Sequence, residues 1–142
     1  MNDPVFVVHE LAHARAALAA AADTGRRVVL LSPPDAAVYL GLRWMPALAA
    51  AARSEFPNAV AGTALDCGDR LALALEALRH GAEIVLFTGP KEEAERLRPA
   101  TTAAGADLWR SRPPALDLGT VPTEQAMIAC REWIDRLGAV LK

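Results

Sequence analysis

A chain of 142 residues, 53% hydrophobic and 23% charged, has the makings of one globular domain with a real core and is not a disordered segment. Its formal net charge of −2 argues against a general nucleic-acid or anionic-membrane surface. Asp3, His9 and Glu10 interrupt the N-terminal apolar stretch, so no signal peptide is expected, and no apolar run approaches the ~20 residues that a membrane span needs. Two cysteines on different predicted elements make no disulfide framework, and a cytoplasmic protein is the expectation.

In chain order, Pro4 precedes Val5-Phe6-Val7-Val8, a continuous apolar run of the kind found in a strand covered on both faces. His9-Glu10 ends it. Leu11, Ala14, Leu18 and Ala22 then recur on one helical face, and Asp23-Thr24-Gly25 stops the helix. Arg27 to Leu31 is a second strand, broken at once by Ser32-Pro33-Pro34-Asp35. The stretch from Ala36 to Pro46 is irregular; Pro46 fits the first turn of a helix running to about Phe56.

Asn58 to Glu93 is the clearest unit. Ala59-Val60-Ala61-Gly62-Thr63 is a strand, Leu71, Leu75 and Leu78 recur at helical spacing, Gly81 closes that helix, and Glu83-Ile84-Val85-Leu86-Phe87 is the next strand. Asp69 is the natural N-cap of the helix. Gly89-Pro90 opens a further helix, which Pro99 interrupts. A weaker fifth strand covers 107–109, Arg110 to Gly119 is irregular, and Met127, Cys130, Ile134 and Leu137 stripe a last helix that starts near Pro122, capped by Thr120 or Thr123. The βα alternation predicts a single α/β domain over 1–142. Its form is a three-layer sandwich, flavodoxin-like or Rossmann-like, on a five-stranded mostly parallel sheet; the alternative is half of a (βα)8 barrel.

In parallel sheets ligands bind beyond the carboxyl ends of the strands. Those ends carry His9, Ser32, Asp35, Asp66, Cys67, Thr88, Gly89, Lys91, Arg110 and Arg112, although every βα loop is polar by necessity. Cys67 before Gly68 is placed where a thiolate gains from a helix terminus, but the flanking aspartates raise its pKa. Asp66 and Asp69 suit capping better than a divalent cation. His13 and His80 read as solvated helix-surface residues. With no GxGxxG, no GxxxxGK[ST] and no CxxC, neither a nucleotide cofactor nor a structural metal is expected.

Pro4-Val5-Phe6-Val7-Val8, Leu11-Ala12-His13-Ala14, Ala61-Gly62-Thr63-Ala64-Leu65 and Gly81-Ala82-Glu83 together resemble the opening half of the 2-keto-3-deoxy-6-phosphogluconate aldolase family. Members of that family are (βα)8 barrels that cleave keto-deoxy sugar acids through a lysine Schiff base, but the resemblance does not extend to that activity. The family's glutamate ending the second strand is replaced by Leu31-Ser32-Pro33, however. The only lysines, Lys91 and Lys142, do not match the Schiff-base position, and the last barrel loops that bind phosphate are absent. No functional residue carries over.

Two functions follow. One is a non-catalytic or regulatory domain that binds a small anionic metabolite at the strand ends. The other is a small lyase or isomerase using His9, Asp35 or Lys91. Tyr39, Leu42, Trp44 and Met45 in the irregular stretch further predict a homodimer with Trp44 near its interface.

Overall fold

Residues 3–141 are described by a computed structural model. Three-residue β1 (Val5–Val7) leads into α1 (Leu11–Thr24), β2 (Val28–Leu31), the one-turn α2 (Ala36–Tyr39) and α3 (Trp44–Glu55). Then come β3 (Val60–Asp66), α4 (Leu71–Arg79), β4 (Ile84–Leu86), α5 (Lys91–Ala103), β5 (Asp107–Trp109), β6 (Leu116–Asp117) and α6 (Ala126–Leu141). Two single 3-10 turns, Leu118–Thr120 and Thr123–Gln125, connect β6 to α6.

All the strands run parallel, in the order β5-β4-β3-β2-β1-β6. The parallel α/β class is as the sequence predicts, with six strands where it predicts five. Between the two arrangements the strand order decides for the partial barrel. A doubly wound sheet reverses direction at a switch point, whereas β1 to β5 are laid down side by side in chain order.

Core packing agrees. Phe6, Val8, Val28, Leu30, Leu65, Val85 and Phe87 are buried against the helices in one cluster. The opposite strand face buries Val5, Val7, Val29, Leu31, Ala64, Ile84 and Leu86, and among the described residues no helical residue belongs to that second cluster. Among the described residues, Ala61, Trp109 and Ala115 are the hydrophobic side chains that pack against this second face. In a flat sheet β1 and β5 would stand about 19 Å apart, yet Val5 and Trp109 line one cavity.

The chain from Arg110 to Ala115 crosses this concave face as a strap. It leaves β5 at one sheet edge and enters β6 at the other, where Leu116 pairs with Phe6. α6 then packs on α1, which fixes β6 beside β1.

Three local expectations are corrected. Pro99 does not interrupt its helix: α5 runs through it to Ala103, because Leu97 and Thr101 on either side are buried and hold the turn in place. Asp69 does not cap α4, whose N-cap is Arg70 with no side-chain capping bond. The turn before α6 likewise has Pro122 as N-cap, and neither Thr120 nor Thr123 supplies a side-chain cap; the Thr120 hydroxyl donates to the Asp117 carbonyl at 2.7 Å. In the stretch expected at a dimer interface, Trp44 is half-buried against the core and Met45 is 2% exposed. Its exposed large apolar residues are Val38, Tyr39 and Leu40, with Tyr39 80% exposed.

Candidate functional site

The strand carboxyl ends are crowded and mutually satisfied. Asp66, the last residue of β3, is buried; its Oδ1 accepts from the Gly68 N–H at 2.8 Å and its Oδ2 from Arg112 Nη1 at 2.6 Å. The second Arg112 amine donates to the Ser32 carbonyl at 3.1 Å, and the Ser32 hydroxyl accepts the Asp66 N–H at 2.9 Å. Ser32, Asp66 and Arg112 thus lock the strap across the ends of β2 and β3.

Arg110 holds the next ends in the same way. It donates to the carbonyls of Phe87 and Gly89 at 2.5 and 2.7 Å and lies 5.5 Å from the Phe87 ring centroid. Gly89 must be small here, since a Cβ would come within 2.4 Å of the Phe87 ring.

The other candidates surround this lock. Asp35 is exposed, at a left-handed φ of 57°, and its carboxylate fills the space where a Cβ on Gly68 would stand. The Thr88 N–H donates to the Gly68 carbonyl at 2.8 Å while its side chain is exposed. Lys91 is exposed at the start of α5. His9 lies at the β1–β6 edge with Nε2 2.7 Å from Asp117 Oδ1, and its N–H donates to His13 Nδ1 at 3.0 Å. His13 is therefore a partner in the first turn of α1 and not merely a solvated residue.

Cys67 is fully buried, and its thiol is pushed up to about 12, chiefly by burial and secondarily by the Asp66 charge. A neutral thiol at that depth is no nucleophile at neutral pH. Among the described residues no three of His, Cys, Asp and Glu converge as metal ligands, and no helix is long and apolar enough to cross a membrane.

The open space lies at the other end of the strands. Beneath the strap is a cavity of about 890 Å³, walled by Val5, Val29, Ala61, Ile84 and Trp109 and roofed by Pro113 and Pro114. It reaches the amino ends of the strands, where Asp3, Glu83 and Asp107 line it. Its shape owes much to an irregularity in β3. Val28 pairs with Val60 but Val29 pairs with Gly62, so Ala61 is an extra residue and bulges. Gly62 then faces Ile84 with no side chain of its own; a Cβ there would stand 3.3 Å from Ile84 Cδ1.

Glu83 stabilises this rim. Arg53, at the end of α3, donates through Nη2 to its Oε1 at 2.9 Å and through Nη1 to its Oε2, and the Thr63 N–H donates to Oε1 at 3.2 Å. The Arg53 hydrogen bond is the main reason the Glu83 carboxyl is held below its ordinary range, against an opposing effect of burial. Sequence reasoning missed Arg53, Glu83, Asp3 and Asp107 because it looked only at the carboxyl ends. The adjacent Ala61-Gly62 in an otherwise apolar strand was the available signal of a bulge and of a thinned wall.

No family model matches the chain, nor does any curated protein. A solved structure does: a candidate fructose-1,6-biphosphate aldolase from Coccidioides immitis superposes with a TM-score of 0.59 at 17% identity, over 90% of this chain and 51% of that one. This chain spans about half the length of that aldolase-like protein, and at such identity the likeness is one of fold, an aldolase-like partial barrel, without singling out the keto-deoxy sugar acid family.

Proposed function

We propose that this chain is a non-catalytic binding protein for a small organic molecule, held in the cavity on the concave face beneath the strap. The observation that carries the reading is the cavity itself. At about 890 Å³, with apolar walls and a few polar groups at one end, it falls within the size and character of small-molecule sites. The strand carboxyl ends, where the sequence suggests an anionic metabolite, offer an anion little. Arg112 is engaged by Asp66 and Ser32, and Arg110 by two carbonyls.

The Cys67 thiol is buried and neutral, which removes it as a nucleophile, and Lys91 is exposed to water at the start of α5. A lyase or isomerase is the second reading, favoured by the aldolase-like fold and by the His9–Asp117 pair, an acid–base arrangement at 2.7 Å on the strand-end face. Cleavage of fructose 1,6-bisphosphate, abolished by His9→Gln, is the assay that would establish it.

A fragment screen followed by amide chemical shifts tests the binding reading. Hits should perturb Val5, Val29, Ala61 and Ile84, and Ala61→Phe should abolish them while the protein stays folded. Perturbations confined to Asp35, Thr88 and Lys91 would move the site to the strand carboxyl ends and overturn the proposal.

A further inference from the structure

The charge on the cavity lining selects among ligands. Among the described residues three acids, Asp3, Glu83 and Asp107, line it, with no lysine, arginine or histidine. Glu83 is already matched by Arg53 and the Thr63 N–H, so it holds the wall. The other two are not matched. The Oδ2 atom of Asp3 is buried and receives no hydrogen bond among the described residues. A buried carboxylate oxygen without a donor is unfavourable, and nearly all such atoms in folded proteins have one. Asp107 is exposed at the first position of β5 and takes part in no side-chain hydrogen bond or ion pair among the described residues.

The two carboxylates come from the ends of β1 and β5, which the strand order places far apart and the curl of the sheet brings to one space. Above them the walls are aliphatic, and Trp109 contributes an indole, the aromatic ring that attracts cations best. The upper part suits an apolar body and the lower part a hydrogen-bond donor with positive charge.

We infer that the cavity takes an organic cation, an amine with an apolar or aromatic body whose ammonium group meets Asp3 and Asp107 while the body lies against Val5, Val29, Ile84 and Trp109. The inference rests on the cavity being a small-molecule site, and it sets the sign of the ligand opposite to that suggested by the strand carboxyl ends.

The test compares three probes of similar size and different charge by calorimetric titration at pH 7: 2-phenylethylamine, 2-phenylethanol and 3-phenylpropanoate. The amine should bind at least ~10-fold tighter than the alcohol, a ratio that a charge-assisted hydrogen bond readily supplies. The propanoate should be the weakest. Asp3→Asn and, separately, Asp107→Asn should weaken the amine several-fold and leave the alcohol unchanged, with thermal melts confirming that each variant is folded.

Equal affinity for amine and alcohol, or tightest binding of the propanoate, would overturn the cation inference and leave the cavity reading standing. Amine binding that neither aspartate variant weakens would also overturn it. Binding by none of the three would overturn the cation inference, and a fragment screen with no hits at Val5, Val29, Ala61 and Ile84 would remove the cavity reading as well.

Discussion

Replacing Arg112 with alanine tests whether the strap is locked by its salt bridge or merely draped over the sheet. The Asp66 side chain is 6% exposed and that of Arg112 29%, with Nη1 and Oδ2 2.6 Å apart. Removing one member of a buried pair costs about 3–5 kcal/mol, because the remaining charge is left without its partner. The lower end applies here, since Asp66 keeps the Gly68 N–H and Arg112 is partly solvated. The variant also loses the bond to the Ser32 carbonyl, so a net loss of about 3 kcal/mol is expected.

Urea unfolding at pH 7 followed by circular dichroism measures it. Asp66→Asn, combined with Arg112→Ala in a double-mutant cycle, separates the pair from the rest: the double variant should be less destabilised than the sum of the two singles by at least about 1 kcal/mol. A loss below about 1 kcal/mol for Arg112→Ala, or simple additivity, would mean that the strap is held by Pro113, Pro114 and Ala115 packing instead.

Phe87→Ala should cost about 3–5 kcal/mol in the same assay, since the ring is wholly buried, and a loss under 1 kcal/mol would show that its surroundings collapse readily. Glu83 is depressed below its ordinary 4.5 by Arg53, so its contribution is present above that value and disappears as pH falls through the lower folded pKa. Stability measured from pH 6 downward should therefore decline less steeply in Glu83→Gln than in the wild type, and parallel curves would contradict this. Cys67 and Cys130, both fully buried and both pushed up to about 12, should resist iodoacetamide in the native state and react in urea; rapid native labelling of either would refute their burial. We propose that a second copy covers Val38, Tyr39 and Leu40. Light scattering should then report a dimer that Tyr39→Ser weakens, and a monomeric wild type at micromolar concentration would exclude it.

The sequence carried the βα alternation because apolar runs such as Val28 to Leu31 and Ile84 to Leu86 are too short for helices and are bounded by turn residues. The same runs could not reveal what covers their second face. Val29 and Leu31 are apolar whether a helix or the curled sheet lies over them. β6 left no trace, since two residues have no period and Leu116-Asp117 pairs only because α6 docks on α1. At the strand ends the sequence identified Ser32, Asp66 and Arg110 as polar groups in the right place. It could not show that they would spend their hydrogen bonds on Arg112 and on backbone carbonyls, because those partners are brought together only by the strap. The Arg53–Glu83 pair was invisible for a similar reason: the two lie 30 residues apart, where no local spacing links them.

The pairing of β6 with β1 also sets an order of assembly. Every other strand pair joins neighbours in sequence and closes a short loop, whereas Phe6 and Leu116 meet across most of the chain. Closing a long loop carries an entropy cost that the few bonds of a two-residue strand offset poorly. The five successive strands can therefore form while the C-terminal part is still being synthesised, with the strap, β6 and α6 docking last. In the finished protein the same segment should open as one cooperative unit, and its amides should exchange with solvent faster than those of β2, β3 and β4. Because Pro113 and Pro114 roof the cavity, that opening is also a route into it, and a bound molecule would slow exchange along a segment that it touches at only a few atoms.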